Sequence, residues 1–302
     1  MVKCATLMQP RDRIPYSSPF RRPPLVAPDG AKLIVWPVVN IEEWEIGRPM
    51  PRQASNPPNA AAVAGAVPDM PNWTWHEYGM RVGFWRLLEA FEKRGIKPTV
   101  SLNSKVCETC TPVAAAIRDA AWEVMAHCVV QMPIHQVKDQ RAMIRESVAQ
   151  IEDFFGRAPS GWLGPGRTQT FETLDLVAEA GLDWFGDWIL DDQPLWVKTT
   201  SRPLVAVPYS VELNDITIMV TGLHESDAML KRVRDAADRL LAESTGSARV
   251  LAFGVHPYVS GAAHRIRYFE EMLDGLARTP GVVFMQGDAI RRWFAAQVPA
   301  PV

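Results

Sequence analysis

Apolar positions along the chain fall into short runs that alternate with amphipathic stretches. LIVWPVVNI (Leu33–Ile41) is continuously apolar and rich in β-branched residues, which predicts a buried strand. Pro37 interrupts it and predicts an edge position or a bulge. From Gly79 the alternation becomes regular. In GMRVGFWRLLEAFEKRG, Val82, Trp85, Leu88 and Phe91 recur three apart and predict a helix stopped by Gly95. Strand PTVSLN, helix PVAAAIRDAA, strand WEVMAHCVV and helix QRAMIRESVAQIEDFFG follow, the last with Ile144, Val148, Ile151 and Phe155 on one face. Then come SGWLGPG as a strand entering a glycine-rich turn, helix TFETLDLVAEAG, and the strands LDWFGDWI, PLVAVPYS and DITIMVTG. Helix ESDAMLKRVRDAADRLLAES, strand RVLAFGVHP, helix HRIRYFEEMLDGLA, strand GVVFMQ and helix GDAIRRWFA complete the chain.

Strands alternating with helices predict a parallel sheet covered by helices. About seven such units suit a β/α barrel better than two dinucleotide-binding halves, and neither G-x-G-x-x-G after a strand nor G-x-x-x-x-G-K-[ST] occurs. Prolines concentrate early: 13 of the 25 lie at or before Pro71. The expected organisation is therefore an extended Pro-rich arm over residues 1–30 and a single barrel domain over 31–302, with a long loop, 49–76, over the barrel mouth. The arm, RIPYSSPFRRPPLVAP, is expected to pack on the barrel or on a neighbouring subunit.

Composition changes this picture little. The 302 residues are 47% hydrophobic and 22% charged, with 32 basic against 34 acidic residues. That supports a sizeable core and gives no field to draw the chain to nucleic acid or an anionic membrane. No apolar stretch reaches bilayer-spanning length and the start has no signal-peptide pattern, so a cytoplasmic location is expected. Of Cys4, Cys107, Cys110 and Cys128, only Cys107 and Cys110 form a C-x-x-C, and without a second pair ordinary reduced thiols are expected.

Active sites of β/α barrels gather at the C-terminal ends of the strands. Polar residues recur there: Asn40-Ile41-Glu42-Glu43, Asn103, His127, the Gly164–Arg167 turn, Asp187 with Asp191 and Asp192 just beyond, and His256. Asn40 and Glu42, two apart on a strand, face the same side, and Glu43 the other. The ordinary alternative for Glu42 is a solvated acid at a loop start, and for His127 and His256 a hydrogen-bonded core histidine. His135 and His264 lie in loop-like contexts, either site or surface, whereas His76 and His224 read as plain loop residues. Trp162, Trp184 and Trp188 read mostly as core.

The motifs VVNIEEW, YGMRVGFWRLLE, WEVMAHCVVQ, GWLGPGRTQTFETLDLVAEAG, DWILDDQP and VHPYVSGAAHRIRYFEEML together resemble the polysaccharide deacetylase (NodB-homology) superfamily over about Arg13 to Phe294. Within it they look most like the cytosolic branch of allantoinase-like ring-opening enzymes and cyclic imide hydrolases. The resemblance implies a distorted (β/α)7 barrel. In metal-dependent members an acidic pair on the first strand supplies a base and a metal ligand, and an H-x-x-x-H element supplies two more ligands. Here the pair is Asn40 and Glu42, or Glu42 and Glu43, and the second element is His127 followed by Gln131, with Leu163 where the family has an arginine. An amide is a poor zinc ligand.

The expected function is therefore hydrolysis of a non-peptide amide C–N bond, most readily ring opening of a cyclic amide such as an imide, ureide or hydantoin. The alternatives are a metal-dependent carbohydrate N-deacetylase and a non-catalytic binding protein on a degenerate scaffold. Glu42, with Glu43 second, is the expected base, its proton affinity raised by burial. His127 polarises the carbonyl, His256 is the acid, and Asp187 or Asp192 orients a histidine or binds substrate. Asn40, Asn103, Gln131, His135, Gly164, Arg167, Asp192 and His264 are the remaining substrate-binding candidates. No cofactor is expected to be required; a divalent metal such as zinc, held by Glu42 and His127, is the alternative. The expected partners are a small-molecule substrate and further copies of the chain in a dimer or tetramer.

Overall fold

A computed structural model describes residues 8–53 and 65–301. Cys4 and residues 54–64 of the 49–76 segment lie outside the described residues. The strands are β1 (Leu33–Ile41), β2 (Thr99–Leu102), β3 (Glu123–Ala126), β4 (Gly161–Trp162), β5 (Trp184–Phe185), β6 (Leu195–Val197), β7 (Leu204–Ala206), β8 (Arg249–Val255) and β9 (Val282–Phe284). Helices of seven residues or more are α1 (Met70–Tyr78), α2 (Phe84–Glu92), α3 (Thr111–Asp119), α4 (Gln140–Phe155), α5 (Thr173–Glu179), α6 (Ala228–Glu243), α7 (Ile266–Arg278) and α8 (Gly287–Gln297). The strands form one curled, mixed sheet in the order β6-β7-β5-β4-β3-β2-β1-β8, with β9 also on β1. All pairings are parallel except β6 with β7. This is an α/β half-barrel of the expected class.

β1 is fully buried, as its unbroken apolar run requires. It is central, not an edge, and Pro37 is housed without a bulge. β8 covers one side of it from Leu33 to Val39. On the other side β9 stops at Val35 and β2 begins at Val38. Pro37 falls in that gap, where a missing N–H costs no ladder bond.

Period two splits β1 between two cores. Leu33, Val35, Val39 and Ile41 pack beneath the helices, with Phe84, Phe91, Trp122 and Phe253. Ile34, Trp36 and Val38 pack on the opposite face with Trp184, Leu163 and Tyr209. Asn40 and then Glu42 extend this second face, so the barrel interior turns polar at the C-terminal end of β1.

Several elements differ from the sequence expectation. DITIMVTG is not a strand: Ile216–Thr221 form a wide helical turn, and just ahead of it the Asn214 side chain accepts from Ile216 N at 3.0 Å. β6, at Leu195–Val197, was not foreseen; it is half-buried and short. The helix expected from Gly79 begins earlier, at Met70, where Asp69 accepts from Asn72 N, and passes through a wide turn at Gly79–Gly83. That insertion rotates the apolar face: Phe84, Leu87, Ala90 and Phe91 are buried, whereas Trp85 is exposed. α4 matches its periodicity, capped by Asp139 and stopped at Gly156 with φ 71°. No helix among the described residues is long and apolar enough to cross a membrane.

The N-terminal arm is pinned to the barrel domain at two places. Arg13 forms a two-bonded pair with Asp175 at 2.6 and 3.0 Å, and Leu25 bonds Ser247 and Ala248. Tyr16, Phe20 and Val26 project into solvent.

The wide turn at Gly79–Gly83 and the turn after β8 touch backbone to backbone. A Cβ on Gly83 would sit 2.0 Å from the carbonyl oxygen of Pro257, and one on Gly261 2.4 Å from that of Gly83. Helix propensity favours alanine over glycine by about 1 kcal/mol, but a clash with rigid backbone costs about 1–3 kcal/mol and outweighs it. Gly83→Ala is therefore expected to be net destabilising, seen as a lower urea midpoint at unchanged slope. A midpoint equal to or above wild type would show that this contact is not tight.

Candidate active site

Glu42 stands at the exit of β1 with its residue only 2% exposed. Its carboxylate accepts from four side chains. Arg52 grips it with two bonds, Nη1 to Oε2 at 2.5 Å and Nη2 to Oε1 at 2.9 Å. The indole of Trp44 donates to Oε2 at 2.9 Å, the hydroxyl of Tyr258 to Oε2 at 3.1 Å, and the amide of Gln131 to Oε1 at 2.9 Å. The backbone carbonyl of Glu42 pairs with Nε2 of the buried His76 at 2.9 Å. Stacking of His76 on Trp44, ring centres 4.7 Å apart, holds this wall in place.

His256 follows β8, where its strand predicts it. Its Nδ1 lies 2.6 Å from Asp215, whose other oxygen accepts from the His256 backbone N–H at 2.6 Å and from the Ser260 hydroxyl at 2.8 Å. Its Nε2 lies 3.5 Å from Glu42. With a carboxylate facing each ring nitrogen, the imidazolium is the favoured form. Burial opposes this, but Asp215 and Glu42 outweigh burial and raise the pKa above its ordinary value.

For Glu42 the expectation of a raised pKa is overturned. Burial alone would raise it, but Arg52 and His256 outweigh burial and hold the carboxyl well below the usual range. Glu43 behaves oppositely. It is half-buried, bonded to the Thr109 hydroxyl at 2.5 Å, and pushed up by burial and by Glu77 and Glu45.

His127 is buried, and its Nδ1 faces the Leu163 carbonyl. That contact leaves Nε2 as the lone-pair nitrogen. Burial lowers its pKa to about 4, which keeps the ring neutral. Asn103 ties β1 to β3: its Oδ1 accepts from Glu43 N at 2.9 Å and its Nδ2 donates to the His127 carbonyl. It acts as a brace. Asn40 points the same way as Glu42 but is spent on Tyr209 at 3.3 Å and the Val255 carbonyl at 3.4 Å.

Asp187 does not orient a histidine; Asp215 does. Asp187 instead accepts from Gly164 N and Gln169 Nε2, both at 2.6 Å, and burial raises its pKa to about 7. It pins the Gly164–Arg167 turn. Arg167 sits in that turn with φ 56°. Asp191 is taken by Arg22 at 2.5 Å, and Asp192 lies in a separate surface depression with Arg239 and Tyr209. His135 and His264 are exposed, and His135 lines a different hollow with Trp188 and Gln169. Neither is brought to Glu42. Trp162 and Trp184 are fully buried core, and Trp188 is half-buried on Gln169. Cys107, Cys110 and Cys128 are free thiols, and burial pushes Cys107 up to about 11.

Arg52, Asp215, Tyr258 and His76 were not foreseen. Only Tyr258 and His76 carried a signal: one lies two residues past His256, the other four past Asn72 in a helix start.

A cleft of about 420 Å3 opens above this centre, walled by Glu43, Arg48, Met50, Pro133 and Pro165. Arg52 and Gln131 line it and also bind Glu42, so they separate the cleft from the buried carboxylate.

No family model matches the chain. It is 28% identical over 244 residues, 74% of its length and 76% of the other's, to a Schizosaccharomyces pombe protein named "Putative polysaccharide deacetylase". It superposes on a solved structure described as a probable polysaccharide deacetylase from Pseudomonas aeruginosa PAO1 with TM-score 0.83, at 24% identity, covering 93% of this chain and 96% of that one. On a solved PuuE allantoinase the TM-score is 0.84, at 24% identity, covering 97% and 99%. The chain has the polysaccharide deacetylase (NodB-like) fold.

Metal-dependent proteins of this fold raise the question of an ion here, and the residues present do not fit one. Both oxygens of Glu42 are held by a guanidinium. Gln131, at the position of the missing second histidine, turns its N–H toward Glu42. A divalent cation would meet Arg52 head-on. Among the described residues no three His, Cys, Asp or Glu side chains are grouped to hold a metal ion.

The geometry makes His256 the group to titrate. Its stabilising contribution is complete below the ordinary histidine pKa of about 6.5 and is lost as pH rises through the higher folded value. Replacing Asp215 with Asn removes the nearer carboxylate, and burial then dominates. By nitrogen-detected NMR, His256 is expected to titrate above about 6.5 in the wild type and below it in Asp215→Asn. Identical titration in both would remove Asp215 from this role.

Proposed function

We propose that this centre hydrolyses a non-peptide amide C–N bond, and that its preferred substrate is a small cyclic amide of the imide, ureide or hydantoin type. The observation that carries the reading is the pairing, within 3.5 Å, of an anionic carboxylate with an imidazole that a second carboxylate keeps protonated. One is a proton acceptor and the other a proton donor in the same buried space.

The steps balance. Glu42 takes a proton from water as the water oxygen attacks the amide carbon, and the carbonyl π pair moves to oxygen. The tetrahedral adduct collapses, the C–N bond breaks, and Nε2–H of His256 passes its proton to the leaving nitrogen. Asp215 holds the imidazole through Nδ1 and steadies its charge. Neutral His127, its Nε2 unprotonated, places a lone pair in the same interior and orients a substrate N–H. The unpartnered Oε1 of Gln131 offers a second acceptor for an N–H. Two acceptors beside one acid suit a ring N–H flanked by carbonyls. A carboxylate held as low as Glu42 is a weak base, and this favours an electrophilic carbonyl with a good nitrogen leaving group over a plain acetamide. The names of the curated relative and of one solved neighbour keep carbohydrate N-deacetylation as the second reading.

Glu42→Gln and His256→Ala are each expected to lower kcat on a responsive cyclic amide by about 100-fold or more, with the fold retained by circular dichroism although the loss of a buried charge lowers the thermal midpoint. Since the acid must be protonated, kcat should fall as pH rises through the raised pKa of His256. Since Glu42 is held low, no loss is expected between pH 5 and 6 by the acid limb. A panel of imides, hydantoins, ureides and N-acetyl sugars decides the substrate class. Turnover of N-acetyl sugars alone would replace the first reading with the second, and undiminished turnover by both variants would refute the assignment of base and acid.

A further inference from the structure

Arg52 has no role in the hydrolysis just described, yet it makes the shortest contact to its base. Its guanidinium is held on an irregular segment after β1, between Pro49 and the end of the described stretch at Gln53. One face meets Glu42 with two bonds, Nη1 also lies 2.6 Å from the Tyr258 hydroxyl, and the group lines the cleft. The carboxylate behind it is 1% exposed in its side chain, whereas the Arg52 side chain is 18% exposed. Anything entering from the cleft therefore meets Arg52 before Glu42.

Resting on the hydrolytic reading above, we propose that Arg52 is a catalytic residue: its guanidinium transfers from Glu42 to the carbonyl oxygen of the entering amide, and after C–N cleavage holds the carboxylate of the product. Three features of the chain support it. The centre cannot accommodate a divalent ion while Arg52 is present, and the proton of His256 goes to the leaving nitrogen, which leaves Arg52 as the cation lining the cleft that can face the developing oxyanion. A planar fork that already binds one carboxylate has the shape to bind a second. The transfer also frees Glu42 from its clamp as substrate arrives, which raises its proton affinity at the step where it acts as base. Atoms are unchanged by this exchange; two N–H bonds to Glu42 are replaced by N–H bonds to the ligand oxygen, and the oxyanion charge is met by the guanidinium. The ligand class follows: neutral or anionic molecules with an accessible carbonyl or carboxylate, and not cations.

Binding tests this without reference to turnover. Calorimetric titration of the full chain uses succinamate, the half-amide left by opening a five-membered imide, with the neutral succinamide as its control. Succinamate should bind the wild type. Arg52→Met should weaken it by about tenfold or more, the scale of a lost charge-assisted pair, and Arg52→Lys by less. Glu42→Gln should tighten it by a similar factor, because the internal competitor for the fork is gone, and the gain should vanish in the double variant Glu42→Gln/Arg52→Met. Succinamide, which offers the fork a carbonyl oxygen but no charge, should gain less from Glu42→Gln than succinamate does. If Arg52 is only a structural partner of Glu42, Glu42→Gln leaves succinamate binding unchanged or weaker, and this result overturns the proposal. So does wild-type protein that gives no heat with succinamate. Should Arg52→Met fail to fold by circular dichroism, Arg52→Lys and the sign of the Glu42→Gln effect still decide. The substrate panel can fail while these bindings hold, and the reverse, so the two readings fail separately.

Discussion

Four charges buried within one hydrogen-bonded chain govern this molecule: Asp215, His256, Glu42 and Arg52, joined by contacts of 2.6, 3.5 and 2.5 Å. Moving any one of them out of water costs several kcal/mol. Taken together, two anions and two cations cancel. Removing one member leaves an uncompensated buried charge, a loss of about 3–5 kcal/mol. The four come from the exit of β1, the segment beyond it, the turn before residue 216 and the exit of β8. The cluster therefore couples regions more than 200 residues apart, and the sheet must be correctly wound for the charges to meet. The backbone contacts of Gly79, Gly83 and Gly261 serve the same constraint, because they leave the His256–Tyr258 turn no room to drift.

The sequence disclosed those parts of this arrangement that sit at strand ends. An apolar run is visible, and the polar residue that breaks it is visible too. Glu42, His127 and His256 were legible for that reason, and Gln131 because its spacing from His127 invited comparison. Asp215 was hidden by its neighbours. ITIMV after it is apolar and β-branched, so local composition reads as a strand, and a residue at the start of a strand lies at the wrong end of a barrel. The helical turn there is a tertiary outcome, held by the bond of Asn214 to Ile216 N and by the bond of Asp215 to a residue 41 positions away. Arg52 was hidden by its setting: an arginine in a proline-rich stretch has no periodicity to place it. Its partner could be inferred only from the demand that a buried Glu42 be compensated.

That demand also explains why the proton affinity of Glu42 was misjudged. A carboxylate facing an apolar interior does have its pKa raised by burial, and burial is the largest single influence here. Two cations within 3.5 Å reverse the sign. The same logic gives opposite results at Asp187, also buried but hydrogen-bonded by neutral N–H donors with Arg167 only a minor lowering influence, where burial wins and the carboxyl rises to about 7. Hydrogen bonds from amides partly replace water; a guanidinium and an imidazolium replace it and add opposite charge.

Gln131 and Leu163 look like losses when set beside the metal-dependent pattern. In this chain each has a use. The amide of Gln131 donates where an imidazole lone pair would have pointed, and so sides with Arg52 in solvating Glu42 as an anion. Leu163 contributes its carbonyl to Nδ1 of His127, which fixes the tautomer of that ring. The Gln131 side chain thus suits a centre whose positive charge is carried by an arginine, whereas the part of Leu163 is played by its backbone and its side chain packs in the core. A guanidinium is a weaker electrophile than a divalent ion, since it offers hydrogen bonds and one delocalised charge in place of a direct Lewis-acid contact. Such a centre gains most from substrates that need least activation. Cyclic imides and ureides, whose carbonyls are electron-poor and whose ring nitrogen leaves readily, meet that condition; an unactivated acetamide on a sugar does not. The substitutions, the inserted cation and the proposed substrate class are thus one constraint seen from three sides.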